Sequence, residues 1–169
     1  MYYFYDERYL LPLSHDEVVH LKKPMINKMN GSYEDKFKQL KLLNTYQMTH
    51  PGKKLNFMGN EIATFDEWNE NESINWDIKN YPIHDDFNRY IKDLNYLYKN
   101  NSAFFARDYD KDGFKWLVVD DTKTSVFAYE RIADDSRFLI VLNMANVYHK
   151  AYEFIFDEDL IFIEKINSF

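Results

Sequence analysis

An apolar segment that ends at a cluster of titratable residues is the feature that most limits how this chain can fold. Residues 2 to 13 have the composition of a strand, and His15, Asp16 and Glu17 follow them after a single serine. Enzymes built on a barrel of parallel strands place polar residues in this way, at the carboxyl end of a buried strand where the barrel opens. The segment therefore predicts a buried strand with a functional site at its end.

Strand-like and helical patterns alternate along the first part of the chain. The strand-like run at 9 to 13 is followed by a helical pattern that begins at Ser32 and ends at the His50-Pro51-Gly52 turn. An apolar run at 55 to 58 predicts a second strand, and apolar residues at helical spacing predict a second helix with Asp85 at its start. This alternation predicts parallel strands joined by crossover helices.

The character of the sequence changes near residues 102 to 112. Beyond them, short β-prone runs are separated by turns rich in aspartate, which predicts an antiparallel sheet belonging to a sandwich. The predicted strands occupy residues 114–119, 125–131, 138–144, 151–156 and 160–166.

Charge and composition exclude several classes of function. The 169-residue chain has a net charge of −7 and no cysteine. Nucleic acids and anionic membranes require clustered basic residues, and disulfide frameworks and thiolate metal sites require cysteine. No segment approaches the length of a membrane span, and the start lacks the pattern of a signal peptide. We therefore expect a soluble, cytoplasmic protein that binds neither nucleic acid nor membrane.

The histidines and carboxylates at residues 15 to 20 also contain the residue types of a metal site. A zinc-hydrolase motif needs two histidines four positions apart on a helix, whereas His15 and His20 are five apart and follow a strand-like run. We therefore expect no metal and no cofactor. A turn in which the His15–Asp16 pair only hydrogen-bonds the backbone remains a structural alternative.

The run His15-Asp16-Glu17-Val18-Val19-His20, followed by Lys22-Lys23, resembles the last conserved motif of the α-amylase superfamily in the form carried by glycogen (1,4-α-glucan) branching enzymes. The resemblance is strongest from residue 11 to 77 and weakens in the β-rich tail. Two local departures are Leu21, where the family usually has glycine, and Pro24, where serine is common. Further segments resemble this family in the same order, at residues 27–29, 49–55, 57–63, 67–70, 76–77 and 82–98.

This resemblance implies a fold of the α/β plus β class. Residues 1–106 would form the last two βα units of a TIM (β/α)8 barrel, as the C-terminal part of a catalytic domain. Residues 107–169 would form an incomplete antiparallel β-sandwich. Because two βα units cannot close a barrel, we expect the first part to be less stable than the β-rich part unless another chain covers it.

The function implied by the resemblance is a retaining transglycosylase that cleaves an α-1,4 bond of a glucan and forms an α-1,6 branch. By matching position, Asp16 is the catalytic residue that stabilises the transition state, and His15 binds the same sugar. Glu17, Glu61 and Trp68 are candidate substrate-binding residues. A retaining reaction also needs a nucleophile and an acid/base roughly 5 Å apart, and the family carries both on earlier strands. The resemblance therefore implies that this chain lacks both groups and is inactive alone.

Two other interpretations remain open. The chain could be a non-catalytic α-glucan-binding or assembly module derived from the same fold, or an unrelated α+β domain with an accidental motif match. The expected partner is an α-glucan such as glycogen or amylose. The N-terminal part of the enzyme, on another chain, is a second candidate partner.

Overall fold

Two short parallel strands begin the computed structural model, which describes residues 10–11, 13–156 and 159–168. Strand β1 (Leu10–Leu11) pairs in parallel with β2 (Lys53–Lys54), so that Leu10 lies opposite Lys53. The parallel ladder continues past both strands, because the Leu13 amide donates to the Leu55 carbonyl at 2.9 Å. The second strand thus lies before the predicted run at 55–58, of which residues 55 and 57 only continue the ladder to Leu13. Residues 2–9 and Pro12 of the first predicted segment lie outside the described residues.

Helix α1 (Tyr33–Thr49) connects the two parallel strands. Its first turn is closed by a reciprocal cap in which Ser32 Oγ accepts from the Asp35 amide at 3.1 Å and the Ser32 amide donates to Asp35 Oδ2 at 3.3 Å. The helix ends before Pro51, which cannot continue it. The helix predicted from Ser32 to His50 is therefore confirmed.

Helix α2 (Pro82–Asn100) packs against α1. It begins at Pro82, ahead of the Asp85 start that the sequence predicts, because the fixed φ of proline and its missing N–H suit the first turn of a helix. The core between the helices contains most of the predicted apolar face of α2, and Phe37, Leu40, Phe87 and Leu94 are among its most buried members.

The β-rich part forms one three-stranded antiparallel sheet. Strands β3 (Phe114–Val118), β4 (Val126–Ile132) and β5 (Arg137–Asn143) lie in that order, with β4 in the centre. Tyr129, on β4, is fully buried in a second apolar cluster that also receives Tyr46 from α1 and Leu97 from α2. Three of the five predicted strands are therefore present.

The two last predicted strands are wrong for the described residues. Neither 151–156 nor 159–168 contains a strand, and Ile155 and Ile161 are 91% and 94% exposed. A β-prone run becomes a strand only where a neighbour accepts and donates its backbone hydrogen bonds, and in the described structure no strand pairs with these runs. A second sheet facing β3–β5 is likewise not formed by the described residues.

A buried ion pair joins the sheet to the parallel strands. Arg131 of β4 contacts Asp108 at 2.8 Å and donates to the Thr49 carbonyl, at the end of α1, at 2.9 Å. Asp108 also receives Lys53 of β2 at 3.1 Å. The predicted division between 1–106 and 107–169 stays a prediction, and the two parts are tightly connected through these contacts. Among the described helices, none is both long and apolar enough to cross a membrane.

Candidate functional site

A short 3₁₀ helix, His15–Glu17, begins where the ladder between the parallel strands ends. Ser14 caps it, because Ser14 Oγ accepts from the Asp16 amide at 3.2 Å. Glu17 Oε2 in turn accepts from the Ser14 amide at 2.6 Å and from Ser14 Oγ at 2.8 Å. This reciprocal cap orders the turn without using the side chains of His15 and Asp16.

The side chains of His15 and Asp16 are therefore available at the surface. Their Nε2 and Oδ1 atoms lie 3.2 Å apart, and the side chains are 56% and 70% exposed. Among the described residues, neither side chain hydrogen-bonds the backbone of the turn, which counts against the structural alternative. The arrangement offers an imidazole N–H and a carboxylate side by side, a combination that can bind a pair of hydroxyl groups.

The Glu17 carboxylate accepts the hydrogen bonds that cap the short helix. Burial raises its pKa, but the hydrogen bonds from Ser14 outweigh that effect, so the pKa of Glu17 is lowered. The carboxylate is thus ionised at neutral pH and bonded to Ser14. Its predicted contact with substrate stays a prediction.

A cleft of about 330 Å³ opens beside His15. Trp68 forms part of its wall, and Phe57 lies between the two residues, with its ring centroid 6.0 Å from that of His15 and 5.4 Å from that of Trp68. Trp68 is also half-buried against the core between α1 and α2, so it both supports the loop and faces the cleft. The residues that line the cleft are His15, Val19, His20, Glu67, Trp68, Asn69, Glu70 and Glu72.

Glu61 lies apart from this cleft. It belongs to the 3₁₀ helix Asn60–Ile62, which follows Gly59 with φ of 89°, and its carbonyl accepts from Asn88 Nδ2 of α2 at 3.0 Å. The structure therefore brings His15 and Trp68 to one cleft and does not bring Glu61 to it. Asp16 and Glu17 do not line the cleft either, and Asp16 lies beside it through its contact with His15. No group of three or more histidine and carboxylate side chains in the described part of the chain could hold a metal ion.

Glu67 and His20 are cleft residues to which the sequence assigned no role. The Glu67 carboxylate accepts from the backbone amides of Leu21 at 3.0 Å and Lys23 at 2.5 Å. The only sequence signal was the position of Glu67 beside Trp68 in a segment that resembles the family. Its partners are backbone groups, which no residue pattern reveals.

Comparisons with known proteins identify close sequence relatives. The chain is 40% identical over 168 residues to the 1,4-alpha-glucan branching enzyme of Bacillus cytotoxicus, an alignment that covers 98% of this chain and 26% of the relative. It is 44% identical over 150 residues to the enzyme of that name from Geobacillus stearothermophilus, covering 87% and 24%. The corresponding enzyme of Rhizobium radiobacter is 44% identical over 151 residues, covering 89% and 21%. The chain thus spans about a quarter of the length of these relatives.

The fold also has a counterpart among solved structures. A cyclomaltodextrinase matches with a TM-score of 0.57 and 21% sequence identity, over 79% of this chain and 20% of that one. At this identity the match concerns the fold alone. No protein-family model matches the chain.

Proposed function

We infer, from the premise that this chain belongs to the sequence family of the 1,4-alpha-glucan branching enzymes, that its residues serve glycogen branching. In this reaction an α-1,4-glucan segment is cut with retention and transferred to a 6-hydroxyl group. The observation that carries the proposal is the exposed His15–Asp16 pair, presented where the parallel ladder ends and beside a cleft that Trp68 lines. The expected partner is an α-glucan, and the expected location is the cytoplasm.

The proposal treats β1, α1, β2 and α2 as the last two βα units of a (β/α)8 barrel. Three features support this: the parallel register, the crossover helix α1 and a polar site at the end of a strand. Among the described residues, β1 and β2 pair only with each other, so each has an open edge on which a further barrel strand could pair. The fold match to a cyclomaltodextrinase agrees with this assignment.

Asp16 and His15 have distinct roles in the proposed mechanism. A retaining glycoside reaction passes through an oxocarbenium-like state, in which positive charge develops on the sugar. The Asp16 carboxylate would bind hydroxyl groups of that sugar and stabilise the charge, an effect that preorganised electrostatics makes worth several kcal/mol. The His15 ring, held 3.2 Å from Asp16, would donate a hydrogen bond to the same sugar.

Trp68 is the best supported of the three further substrate contacts. Its ring lines the same cleft as His15, and the volume of about 330 Å³ falls within the range of about 300 to 1,000 Å³ that is usual for ligand sites. Glu17 and Glu61 are weaker candidates, because Glu17 is bonded to Ser14 and Glu61 does not line the cleft.

The proposal also holds that the nucleophile and the acid/base are not supplied by this chain. Retention requires a nucleophile and an acid/base roughly 5 Å apart. The resemblance matches no carboxylate of this chain to either role, so the 169 residues alone should bind glucan without forming branches. Incubating the purified chain with amylose and measuring new α-1,6 linkages tests this point. Robust branching by the chain alone would overturn it.

Glucan binding tests the site itself. Affinity electrophoresis through gels containing amylose should detect binding by the wild-type chain, and Asp16→Ala should weaken it about tenfold, the loss expected for charge-assisted hydrogen bonds. Asp120→Ala is the matched control, since Asp120 is an exposed aspartate in the turn after β3. Equal binding by the Asp16 and Asp120 variants would refute the proposed site.

A non-catalytic α-glucan-binding or assembly module is the second candidate. The observation that favours it is the buried Arg131–Asp108 connection, which lets this segment present its cleft as one folded unit. Supplying the remaining barrel strands on a second chain distinguishes the two. Restored branching supports the enzyme, whereas glucan binding that never leads to turnover supports the module.

A further inference from the structure

The loop after the His15–Glu17 turn has an unusual backbone. His20, Leu21 and Lys23 have φ values of 57°, 65° and 67°, in the left-handed region that disfavours any residue with a Cβ atom. Leu21 is also 92% exposed, so burial of its side chain does not compensate for the strain. Another interaction must therefore hold this loop in place.

The Glu67 carboxylate supplies that interaction. One oxygen accepts the Leu21 amide at 3.0 Å, and the other accepts the Lys23 amide at 2.5 Å. Glu67 lies in the loop that follows β2, whereas Leu21 and Lys23 lie in the loop that follows β1. One side chain thus joins the two loops through two charge-assisted hydrogen bonds.

This loop is connected to the candidate site on both sides. Lys22 Nζ donates to the Asp16 carbonyl at 2.8 Å, which ties the loop to the backbone of the catalytic candidate. His20 and Glu67 line the same cleft as His15. A change in the backbone at residues 20 to 23 would therefore move one wall of the cleft and one support of Asp16.

We propose that Glu67 is a positioning residue, whose carboxylate holds residues 20 to 23 in the left-handed conformation and thereby shapes the cleft for an α-glucan. The ligand in this proposal rests on the proposed function, whereas the clamp on the loop does not. Each Glu67 oxygen accepts one backbone amide of the loop, and in this proposal Glu67 acts on the glucan through the loop.

Amide hydrogen exchange tests the clamp without any ligand. In Glu67→Gln one acceptor oxygen is replaced by an NH2 group that faces a backbone donor, so the Leu21 and Lys23 amides should exchange about tenfold faster. Glu153→Gln removes the same charge from an exposed position in the tail and should leave both amides unchanged. Unchanged exchange in Glu67→Gln would overturn the proposal.

Glucan affinity tests the positioning role. Glu67→Gln should weaken binding of a linear maltooligosaccharide about tenfold, measured by calorimetry, while the thermal midpoint stays close to that of Glu153→Gln. Adding Leu21→Gly should restore most of the affinity, because glycine adopts positive φ without strain. The amides of residues 21 and 23 should still exchange faster than in the wild type in the double variant, since one of the two acceptor oxygens is still replaced by an NH2 group. If Glu67 had a purely structural role, Leu21→Gly would not restore the glucan affinity while amide exchange stayed fast.

The outcomes separate this proposal from the one on which it rests. Faster exchange with unchanged glucan affinity overturns the positioning role and leaves the proposed function standing. A wild-type chain that binds no glucan overturns the proposed function and with it the positioning role, and the exchange rates then still decide whether Glu67 clamps the loop.

Discussion

Replacing Arg131 should lower the free energy of unfolding more than replacing a charged residue on the surface. The Arg131 and Asp108 side chains are 0% and 1% exposed, and their closest atoms lie 2.8 Å apart. Arg131 also donates to the Thr49 carbonyl at 2.9 Å, so it connects the centre of the sheet to the end of α1. In Arg131→Met the Asp108 carboxylate stays buried with Lys53 as its remaining cationic partner.

The magnitude follows from the burial of the Asp108 carboxylate, which loses its fully buried partner and keeps only the half-exposed Lys53. Removing one partner of a buried ion pair costs about 3–5 kcal/mol, against a total stability of about 5–15 kcal/mol for a typical domain. For a chain of this size the midpoint of thermal unfolding should fall by roughly 6–20 °C. Arg131→Met combined with Asp108→Leu should recover most of that loss, since apolar residues often replace a buried ion pair without cost. In the described structure, Arg131 Nε is buried without a hydrogen-bond partner, which favours this recovery.

Urea unfolding followed by far-UV circular dichroism measures these differences. Arg107→Met is the matched control, because Arg107 pairs with the exposed Asp134 and its loss should cost about 0–1 kcal/mol. If Arg131→Met costs no more than Arg107→Met, the buried pair does not stabilise the fold as argued. A double variant no more stable than Arg131→Met would show that the Asp108 charge, left buried without Arg131, is not the cause of the loss.

Three further predictions concern pH, capping and the core. Burial lowers the pKa of His50 to about 4 from 6.5, against the opposing effect of the Pro51 carbonyl. In the unfolded chain His50 is protonated below pH 6.5, whereas in the folded chain it is protonated only below about pH 4. The free energy of unfolding should therefore decrease by up to about 3 kcal/mol as the pH falls from 6.5 to about 4. His50→Gln should flatten this dependence in urea titrations, and an unchanged slope would contradict the assignment. Ser32→Ala removes the cap of α1 and should cost about 1 kcal/mol in thermal unfolding, whereas no shift would mean that the cap adds nothing. Phe87→Ala opens a cavity in the core between the helices and should cost about 3–5 kcal/mol, and a loss below that of Ser32→Ala would show that this core is loosely packed.

Helices were the elements best predicted from the sequence, because the interactions that define them are short-range. The cap of α1 joins Ser32 to Asp35, three residues apart, and the apolar face of α2 repeats at the period of a helix. The β-prone runs were less well predicted. Residues 114–118 and 151–156 are both rich in strand-forming residues, but only the former pair with a neighbour among the described residues. Strand formation depends on a partner that the run itself does not encode.

The His15–Asp16 part of the candidate site was predictable because it also depends on short-range interactions. The exposed His15–Asp16 pair follows from a strand-like run and a capped turn within one short stretch of sequence. The sequence by itself thus determined the helices, the polar pair and the family resemblance. Only the tertiary structure decided that Trp68 and not Glu61 shares the cleft with His15, and that Glu67 binds the amides of Leu21 and Lys23, which lie 46 and 44 residues away along the chain. Such contacts arise when two loops meet at the ends of adjacent strands, so they depend on packing across the whole chain.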